Sequence, residues 1–463
     1  MSSKMKPMSM NIENITQKFI NLEDYYKEDP KWLIKLRNSA WELFHKLPIE
    51  VDSNMLKFVQ PGRIEKLPYN LQMNYDPSTP ITTSTIQNVP YEAKLLQNSQ
   101  NMSIIKNDEN KISNYIHFGP LLKEIRDDPK KFEKIIPEAY ALKQIDKLAL
   151  LTLATFTWGS YLDIKPNTSL EKPIIMVFAD INTNKSHPMP SVNFINIGEN
   201  SQVTLLLEQQ SNNSGVSYTN TVFNIGNGSF VKILSFSNHN KMHNAIESNL
   251  FHIYRDATIN YMNALFGSNY TRTRNEFRIR GSGAEVKEIE IIRGQEKQFF
   301  DIFSAIRHEA PHTQGQTYAR GVLSDQSTAI FKGLVDIPLN IPKCSSYLSL
   351  HGLLMDKTAR FHTIPAMEIS NSDVKAAHAA TVSQIDQEKI FYFESRGISK
   401  ELARKLISEG YVQPGIQEFS DQSLQRYILS LIGKHWYGIA TNPIQENSSE
   451  WENELRKSYE EET

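Results

Sequence analysis

The chain has 463 residues, with 50 basic against 52 acidic residues for a net charge of -2, and is 40% apolar. That length allows a large core and two or three domains, and the even spread of charge excludes the basic face of a nucleic-acid-binding protein. No run of about 18 apolar residues is available to cross a bilayer, and Met1 to Met10 lacks the apolar segment of a signal peptide; the expectation is a soluble cytoplasmic protein.

The first strong element lies between Pro30 and Lys46. Asp29 is placed to cap it, Pro30 suits the first helical position, and Leu33, Leu36, Ala40, Leu43, Phe44 and Leu47 recur at helical spacing before Pro48. Residues 50–115 are rich in Asn, Pro, Gln and Ser without a period and read as extended arms or loops. A second helical block opens near Pro129. Asp146 then caps an apolar helix running through Phe156, with Gly159 as its stop.

From about Trp158 to Thr381 the period changes. Val203, Leu205 and Leu207 alternate with polar residues, and Val286, Ile289 and Ile291 do so less strictly. A small or turn residue followed by an alternating strand recurs at Gly228, Ala257, Ala284, Ser327, Thr358 and Asp373, at spacings close to multiples of about 14 to 15 residues. Such a unit cannot bury its face alone, so it either stacks into a β-solenoid or pairs in a β-sandwich. Helices return after Thr381: Asp386 caps Gln387 to Arg396 with Gly397 as the stop, Ser399 caps Lys400 to Glu409 with Gly410 as the stop, and Leu424, Tyr427, Ile428 and Leu431 mark a third. The tail from Asn442 is acidic and polar and reads as frayed. Domains are therefore expected at 1–157 (helical, with an extended arm), 158–385 (the strand repeats) and 386–463 (helical).

Among chemical motifs, His308-Glu309-Ala310-Pro311-His312 spells the zinc-protease pattern H-E-x-x-H, and Gly315 falls where the longer form wants its glycine. Zinc chemistry needs both histidines on one face of a helix. Pro311 lies between them, Tyr318 stands where a third histidine belongs, and Phe299 to Ile306 and Thr317 to Leu323 read as strands, so a zinc-dependent hydrolase is the weaker alternative. No P-loop, no G-x-G-x-x-G opening a helix and no G-x-S-x-G elbow occurs, and Gly226-Asn227-Gly228 reads as a turn. The single cysteine, Cys344, excludes internal disulfides and a thiolate cage for zinc or a stable cluster, and reads as a packing residue. His351, His362 and His378 with Glu368 remain, either as packed or solvated side chains or as ligands gathered at one end of a stack.

A longer set of residues carries a resemblance. Gly352 to Asp356, His362 to Ile369, Ser372 to Asp386, and Phe391 to Ser399 with Ala403 resemble the C-terminal half of the SufB/SufD family of iron-sulfur cluster assembly proteins. The helix after Asp29, the segment from Pro166 to Pro173 and the run from Arg280 to Thr313 resemble that family too, so the likeness covers most of the chain, most strongly residues 280–412. It implies a mainly β fold, a right-handed parallel β-helix core flanked by N- and C-terminal α-helical domains.

In function, the resemblance implies a non-catalytic scaffold that pairs with a SufB-like protein. A SufC-type ABC ATPase would dock mainly on the C-terminal helices, which fits the lack of a P-loop. No cofactor would be stably bound; a nascent iron-sulfur cluster would be shared transiently with the partner, with His378 at the matched position and His362 and Glu368 in support. Two departures place the chain on the SufD-like side. Ser349, Leu350 and His351 stand where a SufB protein carries its essential cysteine, and Ala379 replaces its glutamate. Ala376 also stands where many SufD proteins have cysteine, so only His378 survives as a matched functional residue. A purely structural solenoid adaptor remains an alternative. Strand edges at a terminal coil further favour pairing with another chain, a homodimer included.

Overall fold

A computed structural model describes residues 26–47, 86, 89–98, 102–106, 114–140, 146–180, 190–211, 214–419 and 421–437. The Met1 to Met10 stretch, the first part of the expected arm and the acidic tail from Asn442 lie outside these residues.

Seven helices occur among the described residues: α1 (Lys31–Lys46), α2 (Leu121–Asp127), α3 (Pro129–Ala139), α4 (Lys147–Thr155), α5 (Gln387–Ser395), α6 (Lys400–Gln417) and α7 (Gln422–Tyr437). The strands are β1 (Ala93–Asn98), β2 (Met102–Lys106), β3 (Ile116–Pro120), β4 (Ser160–Ile164), β5 (Ile174–Asp180), β6 (Ser191–Ile197), β7 (Gln202–Ser211), β8 (Val216–Ile225), β9 (Phe230–His239) and β10 (Asn244–Ile253). They continue with β11 (Thr258–Gly267), β12 (Tyr270–Ile279), β13 (Glu285–Gly294), β14 (Phe299–His308), β15 (Gln314–Leu323), β16 (Thr328–Ile337), β17 (Ser345–Leu354), β18 (Arg360–Ile369) and β19 (Lys375–Gln384).

From β4 onward odd strands stack in one sheet and even strands in the other, each from β6 on parallel to the strand two before it, which makes a parallel β-solenoid of about seven turns. The six turn residues read from the sequence each fall just before a strand: β9, β11, β13, β16, β18 and β19. Alternation fills the interior. Val203 and Leu205 of β7 pair with Val231 and Ile233 of β9, and all four are fully buried. Phe223, Phe251 and Phe277 stack at 4.4 Å between successive rings through three coils of the even sheet. Each such buried side chain contributes about 1.5–3 kcal/mol of transfer free energy.

One turn in every coil needs a left-handed residue. Asn167, Asn200, Gly228, Asp256, Gly283, His312 and Lys343 occupy successive coils with φ between 54° and 78°. Their amides climb the stack: Asn200 donates to the Asn227 carbonyl at 2.8 Å, Gly228 to Arg255 at 2.8 Å, His312 to Pro342 at 3.3 Å and Lys343 to Asp373 at 2.7 Å. This column closes the turns with backbone groups, so side-chain identity there is free within the left-handed preference.

The helices cover the outer faces. α4 is apolar all round because it is buried all round, against α1 on one side and β6, β8 and β10 on the other. Asp146 caps it by accepting from the Leu148 amide at 3.0 Å. Val412, Ile416, Phe419, Ile428 and Leu431 of the C-terminal segment seal Phe236, Ile289, Ile291 and Val322 on the outer face of the odd sheet.

Four expectations change. Asp29 does not cap α1. Its buried carboxylate accepts from Arg37 at 3.0 Å and Arg126 at 2.8 Å, because the following Pro30 holds an extended backbone and is itself the residue at the cap. Gly410 does not stop its helix, and α6 continues through Gly410 and Pro414 to Gln417, since Val412 and Ile416 gain burial on the sheet. Gly159 lies beyond α4, which ends at Thr155; its φ of 146° and a Val192 oxygen 1.7 Å from where a Cβ would sit show a close backbone approach. Part of the expected arm forms β1, which joins the odd sheet beside β5, and β2, which returns antiparallel to it.

Candidate functional site at the open coil

The two ends of the solenoid differ. At the first, antiparallel β2 and β3 cover the sheets. At the last, β18 and β19 each pair on one side only, with β16 and β17. Strands β4 to β17 are mostly buried, whereas most of β19 is exposed and β18 is half-buried. Val382 is 42% exposed. The backbone edge of the final coil is thus available for strand addition.

His378 lies on this coil. Its register partner is Leu348, a buried interior residue, so the imidazole stands on the row that faces inward in the coils below. Ala376 and Ala380 flank it on that row, pairing with Ser346 and Leu350. Small side chains leave the His378 row open, while on the facing strand of the same coil, β18, Phe361 turns inward and packs where Cβ atoms at Gly321 and Gly352 would come within 2.6 Å of its ring. The result is an exposed histidine above an apolar floor.

His362 and Glu368 belong to the other sheet. They are in register with Ile330 and Asp336, on the outer face, and six residues of extended strand separate them by about 20 Å. Burial, then the charge of Arg360, lowers the pKa of His362; Glu368 lies within electrostatic reach of Arg307. The fold does not gather them with His378. His351 is on the outer face of β17, bonded to Ser349 at 2.8 Å and Thr381 at 2.6 Å. Its pKa is lowered by burial and by Arg320.

The H-E-x-x-H pattern spans a strand end and a turn. His308 closes β14 on its inner face, bonds Thr313 Oγ1 at 2.7 Å, and is held neutral by burial with a pKa lowered to about 4. Glu309 pairs with Arg280 at 3.3 Å, and His312 is the left-handed residue of its turn. The histidines therefore cannot converge as zinc ligands on a helix. Cys344 is buried against Thr313 Oγ1 at 3.3 Å, beside a groove of about 710 Å³ whose walls include His312, Lys343 and Asp373. Among the described residues no group of three or more His, Cys, Asp or Glu side chains is placed to hold a metal ion.

Fold and site together define a class of protein: a parallel β-helix, covered by helices on both outer faces, with one coil left open beside a histidine. The family model described as SUF system FeS cluster assembly, SufBD core domain, matches residues 180–411, half of the chain. The chain belongs to the SufBD family of iron-sulfur cluster assembly proteins. Curated relatives agree along nearly the whole length. An iron-sulfur cluster assembly SufBD family protein of Staphylococcus haemolyticus is 21% identical over 431 residues, covering 87% of this chain and 89% of the relative. One from Staphylococcus aureus is 22% identical over 439 residues, covering 88% and 89%.

Proposed function

We propose that this chain is the SufD-like scaffold subunit of a SUF assembly complex, without catalytic activity of its own. The single observation that carries the proposal is the open final coil: a β-helix otherwise filled and covered leaves β18 and β19 exposed, with His378 among alanines on the uncapped row. A SufB-like chain adding its own strands there would complete the sheets and bring thiolates and carboxylates to the imidazole. His378 would then bind iron of the nascent cluster through a neutral ring nitrogen, or pass a proton to it. The cluster is cargo, and this chain supplies too few ligands to hold it alone. Ser349, Leu350 and His351, where a SufB protein carries its cysteine, and Ala379, where it carries a glutamate, favour the SufD-like side.

The SufC-type ATPase would dock on the C-terminal helices. There Phe391 and Tyr392 of α5 are 71% and 58% exposed, an aromatic pair the solenoid does not use. The test is co-expression with the SufB-like and SufC-like proteins of the same cell, followed by anaerobic reconstitution and assay of iron and sulfide. The His378→Ala complex should assemble at normal yield and hold severalfold less cluster. Wild-type cluster content in that complex would leave a structural adaptor, and failure of the wild-type proteins to associate would overturn the scaffold reading.

A further inference from the structure

Residues Glu288 and Glu290 of β13 lie on its inner face between Val286 and Ile292, and both are fully buried. Two residues along one strand face puts the carboxyl groups side by side, within hydrogen-bonding reach of each other. Every donor that meets them is neutral. Ser304 and Thr317 donate to Glu288, the latter at 2.8 Å. Asn275 donates to Glu290 at 2.6 Å and to Glu288 at 3.3 Å, and Asn263 donates to Glu290 at 3.2 Å.

The other titratable groups facing the pair are Tyr261 of β11 and Glu247 of β10, behind which His239 of β9 lies 3.5 Å from Glu247. The nearest cation in sequence, Lys287, is on the opposite face of β13 and pairs with Glu418 at 2.9 Å. The contrast with Asp301 is instructive. It is equally buried, but Arg272, Arg274 and Lys332 ring it.

Neutral donors can satisfy one carboxylate; they cannot offset two adjacent buried charges. We propose that Glu288 and Glu290 share their protons inside the solenoid and form a pH-sensitive element whose ionisation loosens the packing of β11, β13 and β15. Burial raises both pKa values, Glu288 to about 7, and the charge of Glu288 pushes Glu290 well up; the pair titrates as a unit. Folded-state values above the unfolded one mean that the folded chain binds the proton more tightly. The contribution of Glu288 is full below the ordinary glutamate range and is lost as pH rises through about 7, and the charge of Glu288 then holds the proton on Glu290.

The test uses the full-length chain. Thermal unfolding of the wild type and of E288Q and E290Q is followed from about pH 6 to about pH 8, together with the infrared carbonyl band of a protonated carboxyl. The wild type should lose several degrees of Tm across that range. Each single glutamine variant should flatten the slope, and E290Q should remove the infrared band. Wild-type slopes in both variants would overturn the proposal. If neither variant folds, the wild-type spectrum decides, because absence of a protonated-carboxyl band near neutral pH would equally overturn it.

Discussion

Asp301 is enclosed on the outer face of β14 by Arg272 at 2.6 Å, Arg274 at 3.2 Å and Lys332 at 2.9 Å, with Asp146 of the α4 cap 2.5 Å from Arg272. Burial alone would raise its pKa, but the three cations hold it far below the carboxylate range. Removing the charge takes a buried counter-charge from three buried cations, so Asp301→Asn should destabilise the chain by about 3–5 kcal/mol, read as a lower denaturant midpoint. A midpoint within error of the wild type would contradict this. Little of it was legible in the sequence, because burial of a strand face by other elements is not a property of the strand itself. Glu288 and Glu290 did leave a trace. The alternation through Val286, Ile289 and Ile291 slips phase because two carboxyl groups occupy the inner positions between Val286 and Ile292.

At the scale of elements, the turn column recurs once per coil, every 27 to 33 residues, and each coil carries two strands and two turns, so a half-coil spacing of about 14 to 15 residues survived in a chain without strict sequence repeats. The backbone conformation recurs, while residues as different as Asn200, Asp256, His312 and Lys343 adopt it. Gly283 is the demanding position. Its φ is 78°, and a Cβ would sit 2.1 Å from the Asp256 carboxylate. Gly283→Val should therefore cost about 1–3 kcal/mol, whereas His312→Gly should hold or raise Tm, since glycine suits the same conformation without strain. A lower Tm for His312→Gly would point to a role for that side chain beyond the turn.

The same column disposes of the zinc pattern, because its second histidine is a turn residue. Helix starts at Asp146, Asp386 and Ser399 were legible because each cap is a local side-chain bond, to Leu148, Glu388 and Leu402. The end of α6 was not, because burial against a sheet distant in sequence carries it past Gly410.

The whole molecule is a stack with unequal ends, and that asymmetry is the central claim. Periodicity could suggest stacking, and family resemblance could point to His378, but neither shows that β19 lacks a second neighbour among the described residues or that Phe361 of β18 fills the core beside it. Spacing through stacked repeats allows His362 and Glu368 to approach His378 at one end of the solenoid. Two sheets per coil place them on a different wall.

Membership of the family fixes the process, iron-sulfur cluster assembly. The open coil supplies the route by which one chain could take part with another. Among the described residues no helix is long and apolar enough to cross a membrane. The most direct test of the claim is hydrogen exchange of the full-length chain, alone and mixed with a SufB-like protein, the proposed partner. The amides of β18 and β19 should exchange rapidly in the free chain and become protected in the complex, with the central coils unchanged. A stable complex in which β18 and β19 exchange as they do in the free chain would contradict it.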